Sequence, residues 1–316
     1  MNTLITDIFF VGGDSNMSGL IDTYRKTLKP KETEEFINSW LFRPAAFLIV
    51  WLVRNTKMTP NHLTIMSCIS GITSGVMIAL GQHILGFVAM FLMVVLDCAD
   101  GQLARLTGKS SKVGKMLDVT ADVTSYLSFF TGVSVFRYSI TGNPAEFYFI
   151  PLSFIAIFFN IIFYDQFKNQ YIRYVYPEYH EKLEDLNKLK EEYKNEKVPF
   201  FRFTRFVYYA VYLAETKVIY LGSIFALKKH SRIYSLDVQI TKEKSSRYKK
   251  QFYFITRLWS VLGTGSHYFP MMVFLVLGYS HLLLYIFCLY SVIALAVLLI
   301  IQNFVFLFYK ENGKKS

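Results

Sequence analysis

Cysteine is scarce in this chain: Cys68, Cys98 and Cys288 are the only three in 316 residues, and each falls inside a long apolar run. Thiols so placed cannot form the paired framework of a small secreted domain, and the spacing of a Cys/His metal site is absent. No secretory leader is expected, because residues 1–19 contain no basic start and only a short apolar patch at 8–11. Insertion into a membrane is therefore expected to use the first long apolar helix. No internal repeat or low-complexity tract occurs, which excludes a repeat array. Lysine and arginine are missing from three short connections, 81–83, 139–146 and 278–281.

What is abundant is apolar and aromatic. Hydrophobic residues make up 53% of the chain, with 30 Phe and 22 Tyr, and the mean hydropathy is +0.31; a soluble domain has roughly 45–50% apolar residues. Apolar runs at 63–80, 84–106, 119–138, 147–167, 258–277 and 282–308 each approach the roughly 20 residues needed to cross a bilayer. The sequence thus predicts an all-α membrane protein with six transmembrane helices.

Basic residues set the orientation, since Lys and Arg accumulate in loops that stay cytoplasmic. The second connection carries Lys109, Lys112 and Lys115. The fourth carries Lys168, Arg173, Lys188, Lys190, Lys228, Lys229, Arg247, Lys249 and Lys250, and the tail carries Lys314 and Lys315. Both termini and the second connection are expected on the cytoplasmic side. The net charge of +11 borders membrane segments, where it meets anionic headgroups or a charged substrate, so nucleic acid is not the expected partner.

An apolar stretch at 44–53, too short to cross, is flanked by Arg43, Arg54 and Lys57 and contains Trp51. It fits a helix lying in the membrane interface or, as the alternative, a buried helix. The chain divides into an N-terminal cytoplasmic or interfacial segment (1–58), four spanning helices (59–165), an insertion (166–250) and two spanning helices with a basic tail (251–316). Within the insertion a charged helical stretch, 179–197, precedes an aromatic-rich one, 200–227, that is expected to lie at the membrane surface or to act as a lid or acceptor-binding element.

The chemistry is concentrated at residues 96–123, LDCADGQLARLTGKSSKVGKMLDVTADV. Carboxylates beside hydrocarbon are costly and persist where they are paired, bound to metal or facing a wet cavity. On helices, Asp97 and Asp100 share a face at spacing three, and Asp118 and Asp122 share one at spacing four. Two such faces suit hard ions held by oxygen, Mg²⁺ or Mn²⁺, one or two of them, that would clamp a pyrophosphate. Cys98, between two of these acids, reads as packing because soft sulfur does not suit Mg²⁺. Gly101 and Ala104 remove bulk on the first face, Arg105 continues it, and Gly114 falls in the polar turn 107–115 expected to reverse the chain. Gly71 and Gly75, with Ser70 and Ser74, form a face for close helix packing. Gly263 to His267 is expected either to kink the fifth span or simply to pack.

The full spacing, Asp-x2-Asp-Gly-x2-Ala-Arg-x8-Gly-x3-Asp-x3-Asp, resembles the signature of the CDP-alcohol phosphotransferase family, integral-membrane enzymes that join a CDP-activated alcohol to a second alcohol. Thr59 to Thr64 is similar to the Pro-Asn-x-x-Thr start of that family's first spanning helix, and 44–53 resembles its N-terminal amphipathic helix. The resemblance implies phospholipid synthesis from a CDP-alcohol, such as CDP-diacylglycerol, with release of CMP. It implies metal held by Asp97, Asp100, Asp118 and Asp122, with Asp122 as the base that activates the acceptor hydroxyl. Gly101, Ala104, Arg105 and Gly114 would border the nucleotide and phosphates. Asn61 and Thr64 either help hold the donor or cap the helix after Pro60. A homodimer is expected from the family. The acceptor stays open among inositol or its phosphate, glycerol phosphate, an amino alcohol and diacylglycerol; a phosphorylated one would recruit Lys112, Lys115, Arg257 or His267. Three alternatives remain: CDP-choline or CDP-ethanolamine transfer to diacylglycerol, a membrane prenyltransferase, whose acidic pairs sit on well-separated helices, and a cation transporter, which leaves the glycine and arginine spacing unexplained.

Overall fold

The computed structural model describes residues 14–177, 185–226 and 241–308, and every regular element among them is helical. The apolar patch at 8–11, Lys228, Lys229, Lys314 and Lys315 lie outside the described residues. The chain forms two compact units, residues 1–136 and 137–316, and the acidic motif belongs to the first.

In the first unit α1 (Asp14–Thr27) is followed by a 3-10 turn, Lys31–Thr33, a π turn, Asn38–Phe42, and α2 (Arg43–Val53). Helix α3 (Pro60–Ala79) begins where the sequence supplies a start: Pro60 occupies the first turn, and the Thr59 backbone N–H donates to His62 Nδ1 at 3.1 Å, satisfying a donor outside the helix. Gly81, at φ +75°, makes the left-handed turn after it. Helix α4 (His83–Thr107) returns alongside α3, and hydroxyls on α3 join the pair: Ser67 Oγ donates to Met93 O at 2.9 Å and Ser74 Oγ to Gly86 O at 2.8 Å.

Gly108, at φ +66°, ends α4, and α5 (Lys112–Thr141) starts only four residues later. The turn that reverses the chain is therefore 108–111, shorter than the expected 107–115. Its left-handed residue is Gly108, whereas Gly114 sits inside the first turn of α5. Helix α5 crosses closely against α3. A Cβ on Gly71 would overlap the Ser125 side chain, one on Gly75 would overlap the Ser128 backbone, and one on Gly132 would overlap the Gly75 backbone. Small residues let these backbones touch where lipid offers no hydrophobic drive for association.

The second unit contains α6 (Phe149–Val175), α7 (Leu186–Asn195), α8 (Pro199–Ala226), α9 (Lys242–Trp259), α10 (Thr264–Val276) and α11 (Ser280–Phe308). Its core is aromatic: Tyr248 lies 4.2 Å from Phe252 and 4.4 Å from Tyr174, and Trp259 lies 4.5 Å from Phe167, centroid to centroid. The buried indole N–H of Trp259 donates to Gln302 at 2.8 Å, meeting the requirement that a buried donor find a partner. In α8, Arg205 pairs with Glu196 at 3.1 Å, tying α8 to the turn after α7.

Among the described residues four helices are long and apolar enough to cross a bilayer: Pro60–Ala79, His83–Thr107, Pro144–Val175 and Tyr285–Val305. The other two of the six expected spans differ for separate reasons. The 119–138 run lies within α5, whose 30 residues extend about 45 Å at 1.5 Å each, but the same helix carries Lys112, Lys115, Asp118, Asp122 and Arg137. The 258–277 run is not one helix. It breaks at the 3-10 turn Ser260–Leu262 and at Gly263, leaving α10 with 13 residues and an internal Pro270, about 20 Å long against a hydrocarbon core of about 30 Å.

The short apolar segment is helical as Asn38–Val53, with Trp51 and Leu52 exposed and the Arg54 guanidinium 3.2 Å from the Trp51 ring centroid. Arg43, expected as a basic flank at the membrane surface, is instead buried, because it has an acidic partner inside the unit.

Candidate active site

The site forms where the end of α4 meets the start of α5. Oxygens of Asp97, Asp100 and Asp118 all lie within 4.8 Å of one another, with Asp100 buried and the other two half-buried. Carboxylates so crowded repel one another, and a cation held among them would offset that repulsion. Ligands on one Mg²⁺, each at about 2.1 Å, stand about 3.0 Å apart when adjacent and about 4.2 Å apart when opposite, so these oxygens could share an ion after side-chain adjustment. The residues fit a hard divalent ion.

Asp100 is held in place. Thr64 Oγ1, from the second turn of α3, donates to its Oδ2 at 2.5 Å, so one face of the cluster is fixed by the antiparallel helix pair. Asp122 lies one turn beyond Asp118 on α5 and is not among the three clustered acids; it acts electrostatically on Cys68 of α3.

The small residues have distinct surroundings. A methyl added at Gly101 would meet the Arg105 guanidinium first, at 3.4 Å and beyond, so the backbone there is open on the side that Arg105 overhangs. A methyl on Gly114 would come within 2.8 Å of Asn61 Oδ1 and 3.1 Å of Ser111 Oγ. Gly114 thus lets the Asn61 side chain lie against the α5 backbone beside the site. Ala104 is half-buried on the same α4 face. Lys112 and Lys115 are half-buried in the first turn of α5.

Arg105 is engaged with the N-terminal segment: its Nε donates to Thr27 O at the end of α1 at 2.5 Å, while the buried Nη2 has no hydrogen-bond partner. Arg257 and His267 belong to the second unit. The His267 ring is buried and used there: a carbonyl can only accept, so Nδ1 donates to Gly263 O at 2.8 Å, leaving Nε2 to accept from the Asn160 amide at 3.3 Å.

Three residues near the site escaped the sequence reading. Lys29 acts electrostatically on Asp97 and Asp118. Glu34 and Arg43 form a buried bidentate pair, with Nε to Oε2 and Nη2 to Oε1 both at 3.1 Å. They come from a segment with no hydrophobic period, more than fifty residues before Asp97, and no local spacing marks them.

A family model described as CDP-alcohol phosphatidyltransferase matches residues 57–228, more than half of the chain, and the chain belongs to this family. It is similar to archaetidylinositol phosphate synthase from Pyrococcus horikoshii, 37% identical over 78 residues, or 25% of this chain and 42% of that protein. Phosphatidylinositol phosphate synthase from Corynebacterium glutamicum is 38% identical over 85 residues, 26% of this chain and 36% of the relative. Inner membrane protein YnbA from Escherichia coli is 28% identical over 94 residues, 28% of this chain and 45% of the relative. The matched stretches span less than half the length of each relative.

Proposed function

We propose that the chain transfers a substituted phosphate group from a membrane CDP-alcohol of the CDP-diacylglycerol type to an acceptor alcohol and releases CMP. The observation that carries this reading is the convergence of Asp97, Asp100 and Asp118 within 4.8 Å on one helical hairpin. These three would hold one or two divalent ions, which when bound supply positive charge to the donor pyrophosphate. Gly101 and Ala104 leave the backbone open beside the acids, so the donor can lie close to α4. Arg105 overhangs Gly101 and offers an Nη2 with no other partner, suited to a phosphate oxygen.

Asp122 takes the proton of the acceptor hydroxyl. The new bond joins that oxygen to the donor phosphorus distal to cytidine, the bond from this phosphorus to the CMP oxygen breaks, and CMP leaves. The names of two relatives favour a phosphorylated inositol as the acceptor to try first, and Lys29 adds a cation beside the acids that suits such an anion. Loop charge supports an active site and both termini on the cytoplasmic side, and the family expectation of a homodimer is retained as part of the proposal.

The test incubates purified protein with Mg²⁺, CDP-diacylglycerol or CDP-choline, and a panel of inositol, inositol phosphate, glycerol phosphate, ethanolamine and diacylglycerol, then measures CMP. One productive pair identifies donor and acceptor together; no CMP from any pair rejects the reading. Asp122→Asn is expected to abolish CMP release while metal-dependent CDP-lipid binding survives, and retained turnover would remove Asp122 from the base role.

A further inference from the structure

The Glu34–Arg43 pair stands next to the acidic cluster. The third arm of the guanidinium, Nη1, donates to Cys98 O at 3.1 Å, and this carbonyl belongs to the helical turn that carries both Asp97 and Asp100. The contact is reciprocal, because Gln102 Nε2 donates to Arg43 O at 3.2 Å. Arg43 is 7% exposed and Glu34 5%. A pair this buried is a weak source of stability, since removing both charges from water offsets most of their attraction. Its location therefore calls for another reason.

That reason is competition for the guanidinium. The contact with the Cys98 carbonyl brings the Arg43 guanidinium beside the neighbouring Asp97, so that Asp97 as well as Glu34 attracts it. An arginine drawn onto Asp97 would occupy the carboxylate that a divalent ion needs. The Glu34 carboxylate matches the guanidinium fork with two parallel bonds, the arrangement that most strongly fixes an arginine.

We infer that Glu34 is a positioning residue that keeps the Arg43 charge on the N-terminal segment and off Asp97, so that the divalent cation meets no resident competitor. This rests on the reading of Asp97, Asp100 and Asp118 as ion ligands. With Glu34 neutralised, Asp97 becomes the acid left to pair with Arg43, and ion binding must first displace it. With both charges removed, the competitor is gone.

Mn²⁺ binding to the full-length protein in detergent, followed by electron paramagnetic resonance with no substrate present, tests this. Glu34→Gln is expected to raise the Mn²⁺ midpoint by about 10- to 100-fold, the usual range when a group supporting a metal ligand is lost. The double variant Glu34→Gln, Arg43→Gln is expected to return close to the wild-type midpoint. A purely structural role for the pair predicts the opposite order, with the double variant no better than the single one, and that result overturns the inference. An unmoved midpoint in Glu34→Gln also overturns it. If Glu34→Gln fails to fold, Glu34→Asp, which withdraws the carboxylate by one methylene, must shift the midpoint in the same direction, and no shift again overturns the proposal. Wild-type protein that binds no Mn²⁺ overturns the ion-site reading itself, an outcome distinct from binding that is indifferent to Glu34.

Discussion

A hydroxyl 2.5 Å from the carboxylate of Asp100 does more than satisfy a lone pair: it selects the rotamer in which Asp100 faces Asp97 and Asp118. Thr64→Val, similar in shape but without the donor, is expected to raise the Mg²⁺ concentration for half-maximal CMP release by about tenfold, while Thr64→Ser stays near wild type. Equal Mg²⁺ titrations for all three proteins would remove Thr64 from this role. Asn61 and Gly114 allow a second test. Thr59 caps α3, so Asn61 lies inside the helix and the capping reading does not apply to it. Gly114→Ala would push the Asn61 side chain aside, so if Asn61 holds the donor, KM for the CDP-lipid rises with kcat and thermal stability little changed; if Asn61 only packs against α5, stability falls and KM does not. The clustering of Asp97, Asp100 and Asp118 was readable because three- and four-residue spacing is a property of the helix itself, whereas Asp122 falls outside the cluster. Lys29, Glu34 and Arg43 were not, because their relation to Asp97 depends on how the segment before α3 folds back, which no local pattern records.

At the scale of elements, the contact between α3 and α5 depends on absent side chains. Gly75→Val places a branched side chain into the Ser128 backbone, and overpacking of this kind costs about 1–3 kcal/mol or more. A lower melting temperature in detergent is expected, and an unchanged one would show that the helices separate at no cost. The N-terminal segment has its own pH dependence. Burial pushes the Glu34 carboxyl up, but Arg43 and Lys29 outweigh this and hold it below its ordinary value of 4.5. A carboxylate depressed in the folded state contributes stability that is complete above its unfolded value and lost as pH falls through the folded one. The attachment of α1 and α2 is thus expected to persist at neutral pH and to loosen below about pH 4, read as faster hydrogen exchange at residues 24–47; uniform protection down to pH 3 would contradict it. Hydropathy alone recovered four spans. The break at Ser260–Gly263 was signalled only by the glycine-containing run 263–267, where a kink was one of two expectations, and Gly114 was placed in the turn because spacing does not reveal which of two nearby glycines has positive φ.

For the molecule as a whole, the proposed chemistry makes one broad prediction. Chelation by EDTA should abolish CMP release and added Mg²⁺ or Mn²⁺ should restore it, and turnover that survives exhaustive chelation would exclude the ion-dependent reading. The all-α membrane class was evident from composition, since so many aromatic and aliphatic residues exceed what a soluble core of this size requires. The forms of the third and fifth expected spans were not, because the long α5 and the helix break depend on packing and on charged residues placed within apolar sequence.

The four-residue turn that begins at Gly108 has a consequence for how such a site comes into being. Two helices joined by so short a link find each other with little loss of chain freedom, so Asp97, Asp100 and Asp118 can meet as soon as both have left the ribosome, before α6 to α11 exist. The clustering of the three acids is then largely local information, written in about two dozen consecutive residues and adjusted by Thr64, Glu34 and Arg43 from the segments before them, and the helices that follow are free to vary around it.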